Sequence, residues 1–454
     1  MTTARVSGQT VAHRRPARGW LWMLGVFALL IVVQGALRKW VLPQLATPLY
    51  VAKDVALLGA FVLFTRRHSP RLTAPLRRSL LPVLWGGLSF IVLLQAFNLN
   101  VPSALVGVLG VRSYLLYSLL LVLLPFVLER TRRPEPIVTF LVVAVVAPVL
   151  VLGIYQYFQP VGSWINQYVA DTANITGILS HPRITGTFSY IGGMGAFLLF
   201  AQFLAVGLVC AGWRHQHRLY KYLGSGLLAL ALVAAPMNGS RSVVFGVLVP
   251  LPIVLLSLLS RRRGLSVVGG LLVVLALGGY LASQSEWATE GWNTITHRIE
   301  NTSDQTSTRV GRMLLGPIEK VGVGGVLGYG AGATHQAAGA LSASGRVQIE
   351  GVGYEGELGR VVLELGVIGA LFYLALKGWL AWVAWTAMRR AETAWTLLLS
   401  VTGFCVLFLW LGSGMIVFNH IAGALYWLCA GSVVWVWSRQ EVRRLSNERV
   451  RVQT

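Results

Sequence analysis

Stretches of about twenty apolar residues recur from one end of this chain to the other. A structure in water could not cover them all. A helix crossing the hydrocarbon of a bilayer needs about 20 such residues, because lipid offers no partner for a backbone N–H or C=O. Runs that meet or approach this length lie near Gly19–Leu37, Tyr50–Phe64, Leu80–Phe97, Ala104–Leu128, Ile137–Phe158, Thr187–Gly212, Tyr222–Pro236, Val243–Ser260, Leu265–Ala282, Leu358–Trp382, Trp395–Val417 and Ile421–Trp437. The second and seventh are short for a span. The expected fold is all-α and polytopic, with about twelve transmembrane helices. Only 12% of residues are charged, against about 25% in soluble domains, which excludes an ordinary water-soluble enzyme.

The formal charge of +22 resembles a nucleic-acid signal, but its distribution argues otherwise. Basic residues sit in short clusters between apolar runs: Arg66/Arg67/Arg71/Arg77/Arg78, Arg130/Arg132/Arg133, Arg214/Arg218/Lys221, Arg261–Arg263, Arg389/Arg390 and Arg439/Arg443/Arg444. With twelve spans, every cluster falls on the side of the N-terminus, which the positive-inside rule makes cytoplasmic. The first run follows Arg14, Arg15 and Arg18 without a clear cleavage site, so it reads as a retained helix and not a signal peptide. The map is then a cytoplasmic tail over residues 1–18, helices 1–9 over 19–282, and a large extracytoplasmic loop over 283–357 between helices 9 and 10. Helices 10–12 follow over 358–437, then a basic cytoplasmic tail over 438–454. Both termini are cytoplasmic. No nucleic acid is expected as a partner; membrane lipids are.

Arginines on the external side break that charge rule. Arg112 lies about half a span into the fourth run, Arg183 stands in His-Pro-Arg-Ile-Thr-Gly, and Arg241 in Asn-Gly-Ser-Arg-Ser. Arg309 and Arg312 lie in the long loop. A central arginine costs about 2.5–3.5 kcal/mol on insertion scales, so something should offset it. Guanidinium forks bind phosphate or carboxylate bidentately and stay charged. A cluster at headgroup level suits a lipid-linked phosphate or pyrophosphate. The bland alternative is that each arginine snorkels to headgroups or pairs with an acid. Among the few carboxylates, Glu350, Glu355, Glu357 and Glu364 cluster where the long loop re-enters the membrane, with Arg360 spaced to pair with Glu364. Glu355 could serve as a general base, or could simply open a helix, where glutamate is favoured. His335 could be a base or ligand, or incidental. The glycines of Gly322–Gly332 form no P-loop, since Gly-Lys-Ser/Thr is missing. They fit a compact turn, or a close backbone approach to a lipid or glycan. Cys210, Cys405 and Cys429 lack metal-ligand or redox spacing. No metal and no cofactor is expected.

These features together resemble the O-antigen ligase and O-antigen polymerase superfamily of bacterial envelope polysaccharide glycosyltransferases. The resemblance covers about Arg183 to Gly369. It rests on Arg183-Ile-Thr-Gly-Thr-Phe188, Ser240-Arg241-Ser242, Arg309 in the loop, a Gly-X-Gly turn within Gly322–Gly332, and Glu364-Leu-Gly-Val-Ile-Gly369. Weaker echoes lie upstream, in Gly35-Ala-Leu-Arg-Lys-Trp-Val-Leu-Pro43 and Gly110-Val-Arg-Ser-Tyr114. The resemblance implies a GT-C-like helical fold in the bacterial inner (cytoplasmic) membrane. It also implies an inverting, metal-independent glycosyltransferase whose donor is an oligosaccharide on undecaprenyl pyrophosphate, with a glycan acceptor and a chain-length regulator as further partners. In that reading Arg183, Arg241 and Arg309 hold the pyrophosphate, with Arg312 and Arg112 as further contacts, and stabilise charge on the leaving group. Glu355 deprotonates the acceptor hydroxyl, and Glu357, Arg360 and His335 support the site. Ligases of this family carry a histidine where Glu355 stands. That departure favours a polymerase of lipid-linked repeat units over a ligase acting on lipid A-core or protein. A transporter or flippase, and a non-catalytic assembly factor, are the readings from other classes.

Overall fold

The computed structural model describes residues 19–68, 73–169, 177–178, 181–259, 264–266, 268–273, 289–290, 292–293, 296, 316–339, 341, 356–412 and 414–453. Among these, nine helices are long and apolar enough to cross a membrane, so the chain is an all-α, multi-pass membrane protein. They are α1 (Gly19–Val41), α2 (Pro43–Thr65), α4 (Ala104–Arg130), α5 (Glu135–Tyr157), α6 (Ile191–His215), α7 (Arg218–Met237), α8 (Arg241–Leu259), α9 (Glu357–Arg389) and α11, which runs over His420–Gln453. Shorter apolar helices are α3 (Leu81–Ala96), α10 (Ala394–Leu409) and Gly264–Val273. Regular strand pairing among the described residues is confined to β1 (Gly177–Ile178) against β2 (His181–Pro182).

Helix α6 is the centre of the bundle. Every residue from Met194 to Gly212 is buried, and α7 and α10 pack along it. Lipid gives apolar helices little reason to associate, so close packing at small residues must hold them. Gly212 of α6 lies against the backbone at Tyr220 and Lys221 of α7, and Gly224 of α7 meets Leu208 and Val209. Gly207 seats Thr402 and Leu398 of α10. A side chain at any of these glycines would push two helices apart. The outer surface carries Trp22, Phe90, Leu105 and Leu256 exposed to the surroundings, which a lipid solvent accommodates.

The second and seventh apolar runs, short in the sequence, belong to full-length helices of 23 and 20 residues. The second helix begins at Pro43, before the run's start at Tyr50, and within it Lys53 and Asp54 are buried against each other. Two boundaries also move, and one helix is interrupted. Helix α10 stops at Leu409, well short of Val417. Helix α9 is broken at Gly366, whose φ is +68°. Helix α11 does not end with the apolar run at Trp437 but continues to Gln453, so much of the stretch expected as a tail is helical.

Contacts gather the basic segments at one end of the bundle. Trp20 at the start of α1 packs on Phe64 and His68 at the end of α2. Arg130 at the end of α4 meets His68 at 3.2 Å. Glu129 receives the Trp435 indole at 2.8 Å and lies 3.6 Å from Arg439. Arg390 pairs with Glu441, and Arg443 with Glu392 at 3.1 Å. The candidate site lies at the other end of α1, α2 and α4.

Candidate functional site

Two helices leave α-geometry where they carry cations. Helix α1 ends in a π-turn over Leu37–Val41, which holds Arg38 and Lys39. Helix α4 changes to a π-turn over Arg112–Leu116 and then to a 3₁₀ turn over Tyr117–Leu119. Such wide turns re-aim side chains and recur at functional sites. Here both arginines are turned toward Tyr50 of α2. The guanidinium of Arg38 lies 5.2 Å from the Tyr50 ring centre, that of Arg112 4.9 Å, and Lys53 Nζ 4.0 Å. His420 meets the same ring edge-on at 5.2 Å. Asp54 ties the group together. Its carboxylate accepts Arg112 Nε at 2.8 Å and the Tyr117 hydroxyl at 2.9 Å, and lies 3.7 Å from Lys53. Lys53 and Arg112 thus share one carboxylate. Cations over an aromatic face gain a little from its quadrupole, but like charges at this spacing still repel.

The glycine-rich stretch and the break in α9 fit each other. Gly366 interrupts the helical ladder, which would leave carbonyls of the preceding turn without partners. The amide of Tyr329 donates to Leu363 O at 2.7 Å and that of Gly330 to Glu364 O at 3.0 Å. Gly328 (φ +86°) sits directly on the backbone of Glu364 and Gly366, so no Cβ fits there. Gly332 (φ +88°) likewise lies on Val106 and Gly110 of α4, just before Arg112. The close backbone approach read from these glycines is therefore to the protein's own helices. It leads straight to Thr334, whose amide and hydroxyl donate to the buried Glu364 at 2.8 and 2.7 Å. Glu364 is thus engaged by Thr334, and the expected pairing with Arg360 is replaced. Arg360 instead lies over Phe418 at 4.7 Å.

His335, next along, lines a small pocket with Tyr50, Arg112, Arg360, Phe418 and His420. Its volume is about 50 Å³, room for roughly four waters at 10–15 Å³ each, and so for a phosphate-sized group. Burial, and then the charges of Arg112 and Arg360, lower the His335 pKa to about 4, so the ring is neutral at pH 7. Glu357 fixes one wall. It accepts hydrogen bonds from the Tyr373 hydroxyl and from Lys377 Nζ (3.2 Å) within α9, and from the Val417 amide at 3.0 Å. The neighbours of Val417 are Phe418 and, two residues on, His420.

A second part of the site adjoins the first through Lys39 and Arg38. Lys39 Nζ donates to Thr185 Oγ1 at 3.0 Å and Gly186 O at 2.8 Å, and Arg38 to Ser189 Oγ at 3.1 Å. Gln156 accepts from the amides of Thr185 and Gly186 at 3.2 and 2.7 Å. Gly35 packs on the backbone of Thr187–Ser189. Arg183 Nε donates to Asn238 O at 2.9 Å, while the Asn238 side chain donates to Ile184 O and Ile191 O. The Arg183 loop is therefore clamped to the turn that carries Arg241. The upstream echoes at Gly35–Pro43 and Gly110–Tyr114 and the two motifs at Arg183 and Arg241 come to one end of the bundle.

Of the residues singled out in the sequence, Arg112, His335 and Arg360 meet in the pocket. Glu357 supports it, and Arg183 and Arg241 stand on adjoining segments. Arg309, Arg312, Glu350 and Glu355 lie outside the described residues. Sequence reasoning passed over Tyr50, Lys53, Asp54, Lys377 and His420. The signal was there: ionisable residues inside apolar runs are functional candidates by default, and Lys53-Asp54 and Lys377 meet that rule as Arg112 does. A larger cavity of about 550 Å³ lies at the opposite end, beside Trp395, Arg439 and Arg443, but the arginines there are matched by glutamates. Among the described residues no group of His, Cys, Asp and Glu could hold a metal ion. No family model matches the chain, and no curated protein matches it in sequence.

Proposed function

We propose that this protein is a membrane glycosyltransferase that polymerises oligosaccharide repeat units carried on a polyprenyl (undecaprenyl) pyrophosphate at the extracytoplasmic face of the bacterial inner membrane. The observation that carries the proposal is the shared site of Arg112, Arg360 and His335 beside Tyr50, joined through Arg38 and Lys39 to the Arg183 loop. Segments that bear the family resemblance, far apart in the chain, supply this cationic end. A pocket of phosphate size fits a headgroup and leaves the sugar and the lipid tail outside it. Preorganised donors around a developing pyrophosphate anion lower the barrier to its departure, and no metal is called for when guanidinium groups supply the charge. The acceptor hydroxyl's proton goes to Glu355 in this reading.

The finer topology belongs to the same proposal. Nine long helices with α3, α10 and Gly264–Val273 would make twelve spans in a GT-C-like arrangement. The basic end would then face the cytoplasm with both termini, and the stretch 283–357 would be the large external loop.

Complementation of a strain lacking the gene tests the function. Arg112→Ala and Arg183→Ala should leave a single repeat unit on the lipid carrier while the protein still reaches the membrane. Full-length lipid-linked polymer left unattached would make the protein a ligase. Surface glycan of wild-type length in both variants would remove this site from any transfer reaction.

A further inference from the structure

His335 shares the pocket with Arg112 and Arg360, where a histidine is readily read as a base. Its hydrogen bonding argues for the opposite role. The Ala337 amide donates to His335 Nδ1 at 3.1 Å. A backbone N–H can only donate, so Nδ1 must be the bare, accepting nitrogen. In a neutral imidazole the proton then sits on Nε2. To act as a base through Nε2 the ring would have to hold its proton on Nδ1, and it would become a charged imidazolium on taking the second. A proton on Nδ1 would set one donor against another at the Ala337 amide. The neighbouring guanidinium groups of Arg112 and Arg360 oppose an added charge for the same electrostatic reason that holds the ring neutral.

Taking the pocket as the pyrophosphate site proposed above, we propose that His335 is a neutral hydrogen-bond donor, its Nε2–H directed at a phosphate oxygen, and that it does not take the acceptor's proton. The backbone around it is built for this. Gly332 seats the loop on α4, and Thr334 is held by Glu364, so the ring is delivered beside Arg112 with its Nδ1 edge already occupied. The donor adds directional recognition without adding charge to a cluster that already holds Arg38, Lys53 and Arg112 around one ring.

Nitrogen-15 spectra of the histidine-labelled full-length protein in nanodiscs, assigned with His335→Gln, give the tautomer directly. A bare Nδ1 and a protonated Nε2 at pH 7 are expected; a protonated Nδ1 would overturn the role of His335 whatever the protein's activity. Calorimetric binding of inorganic pyrophosphate supplies the second reading. Glutamine keeps an acceptor and a donor but has no titratable site, so His335→Gln should bind within about threefold of wild type. His335→Phe should bind at least about tenfold more weakly, the loss of a hydrogen bond to a charged group. Equal affinity in all three proteins, or an acidic limb of the transfer rate that vanishes in His335→Gln, would overturn the proposal. No pyrophosphate binding by the wild-type protein would overturn the reading of the pocket as an anion site. A protonated Nδ1 in a protein that does bind pyrophosphate would overturn the role of His335 alone.

Discussion

The two ends of the bundle treat positive charge differently. At the basic end four arginines meet four glutamates: Arg390 with Glu441, Arg439 with Glu129, Arg443 with Glu392, and Arg444 with Glu448. These pairs are largely exposed, and such pairs contribute little. At the other end Lys53 and Arg112 share the single carboxylate of Asp54, and the side chains of Lys53 and Asp54 are almost wholly buried. Burying charge is expensive and is tolerated where geometry or function supports it. The four arginines of the basic end are matched one to one by glutamates. Among the described residues, Lys53 and Arg112 have one buried carboxylate between them beside a pocket, an arrangement suited to a counter-charge that arrives with a ligand.

Single substitutions can break that contrast. Arg112→Ala should lower transfer by about a hundredfold or more, the scale of losing one preorganised donor to a developing anion; a radiolabelled lipid-linked repeat unit followed in membranes measures it. Lys39→Met keeps length and removes two buried hydrogen bonds. Gly186 O keeps the Gln156 amide at 3.2 Å, but Thr185 Oγ1 loses its buried donor, at a cost of about 1–3 kcal/mol. Transfer should fall by about tenfold with the protein still folded, as the Thr185–Gly186 loop loosens beside Arg183.

A smaller effect concerns stability against pH. His335 takes up a proton near pH 6.5 when unfolded but only near pH 4 when folded. The unfolded chain therefore binds more protons between those values, and stability falls as pH drops from about 6.5 to about 4. Thermal unfolding of His335→Gln should lose less over that window than wild type. At the other end, Arg443→Ala should change transfer by less than about twofold, because the pair it breaks is exposed and screened. A large loss there would erase the distinction between the ends.

Apolar periodicity and length made the membrane fold legible, since lipid leaves a helix no alternative way to satisfy its backbone. Arg112 was legible as a candidate because a guanidinium inside an apolar run is costly enough to need a reason. The partners that supply the reason were not. Asp54 is 58 residues from Arg112, and Gly186 is 147 from Lys39; nothing local in the chain links them. The glycines of 328–332 read as a turn. That their lack of a side chain serves the seam between α4 and the break in α9 depends on Gly366: a glycine permits the break, but its placement against Val326 and Leu327 is set by the fold. Arg360 and Glu364 have the spacing of an ion pair, yet a threonine thirty residues away takes the carboxylate.

Native mass spectrometry of the purified protein with a polyprenyl pyrophosphate tests the central claim most directly. The wild-type protein should retain the pyrophosphate lipid in preference to the neutral polyprenol, and Arg112→Ala should lose that preference while Arg443→Ala keeps it. Equal retention of the two lipids by the wild-type protein, or an unchanged preference in Arg112→Ala, would contradict the claim that the cations gathered around Tyr50 and the pocket serve a pyrophosphate.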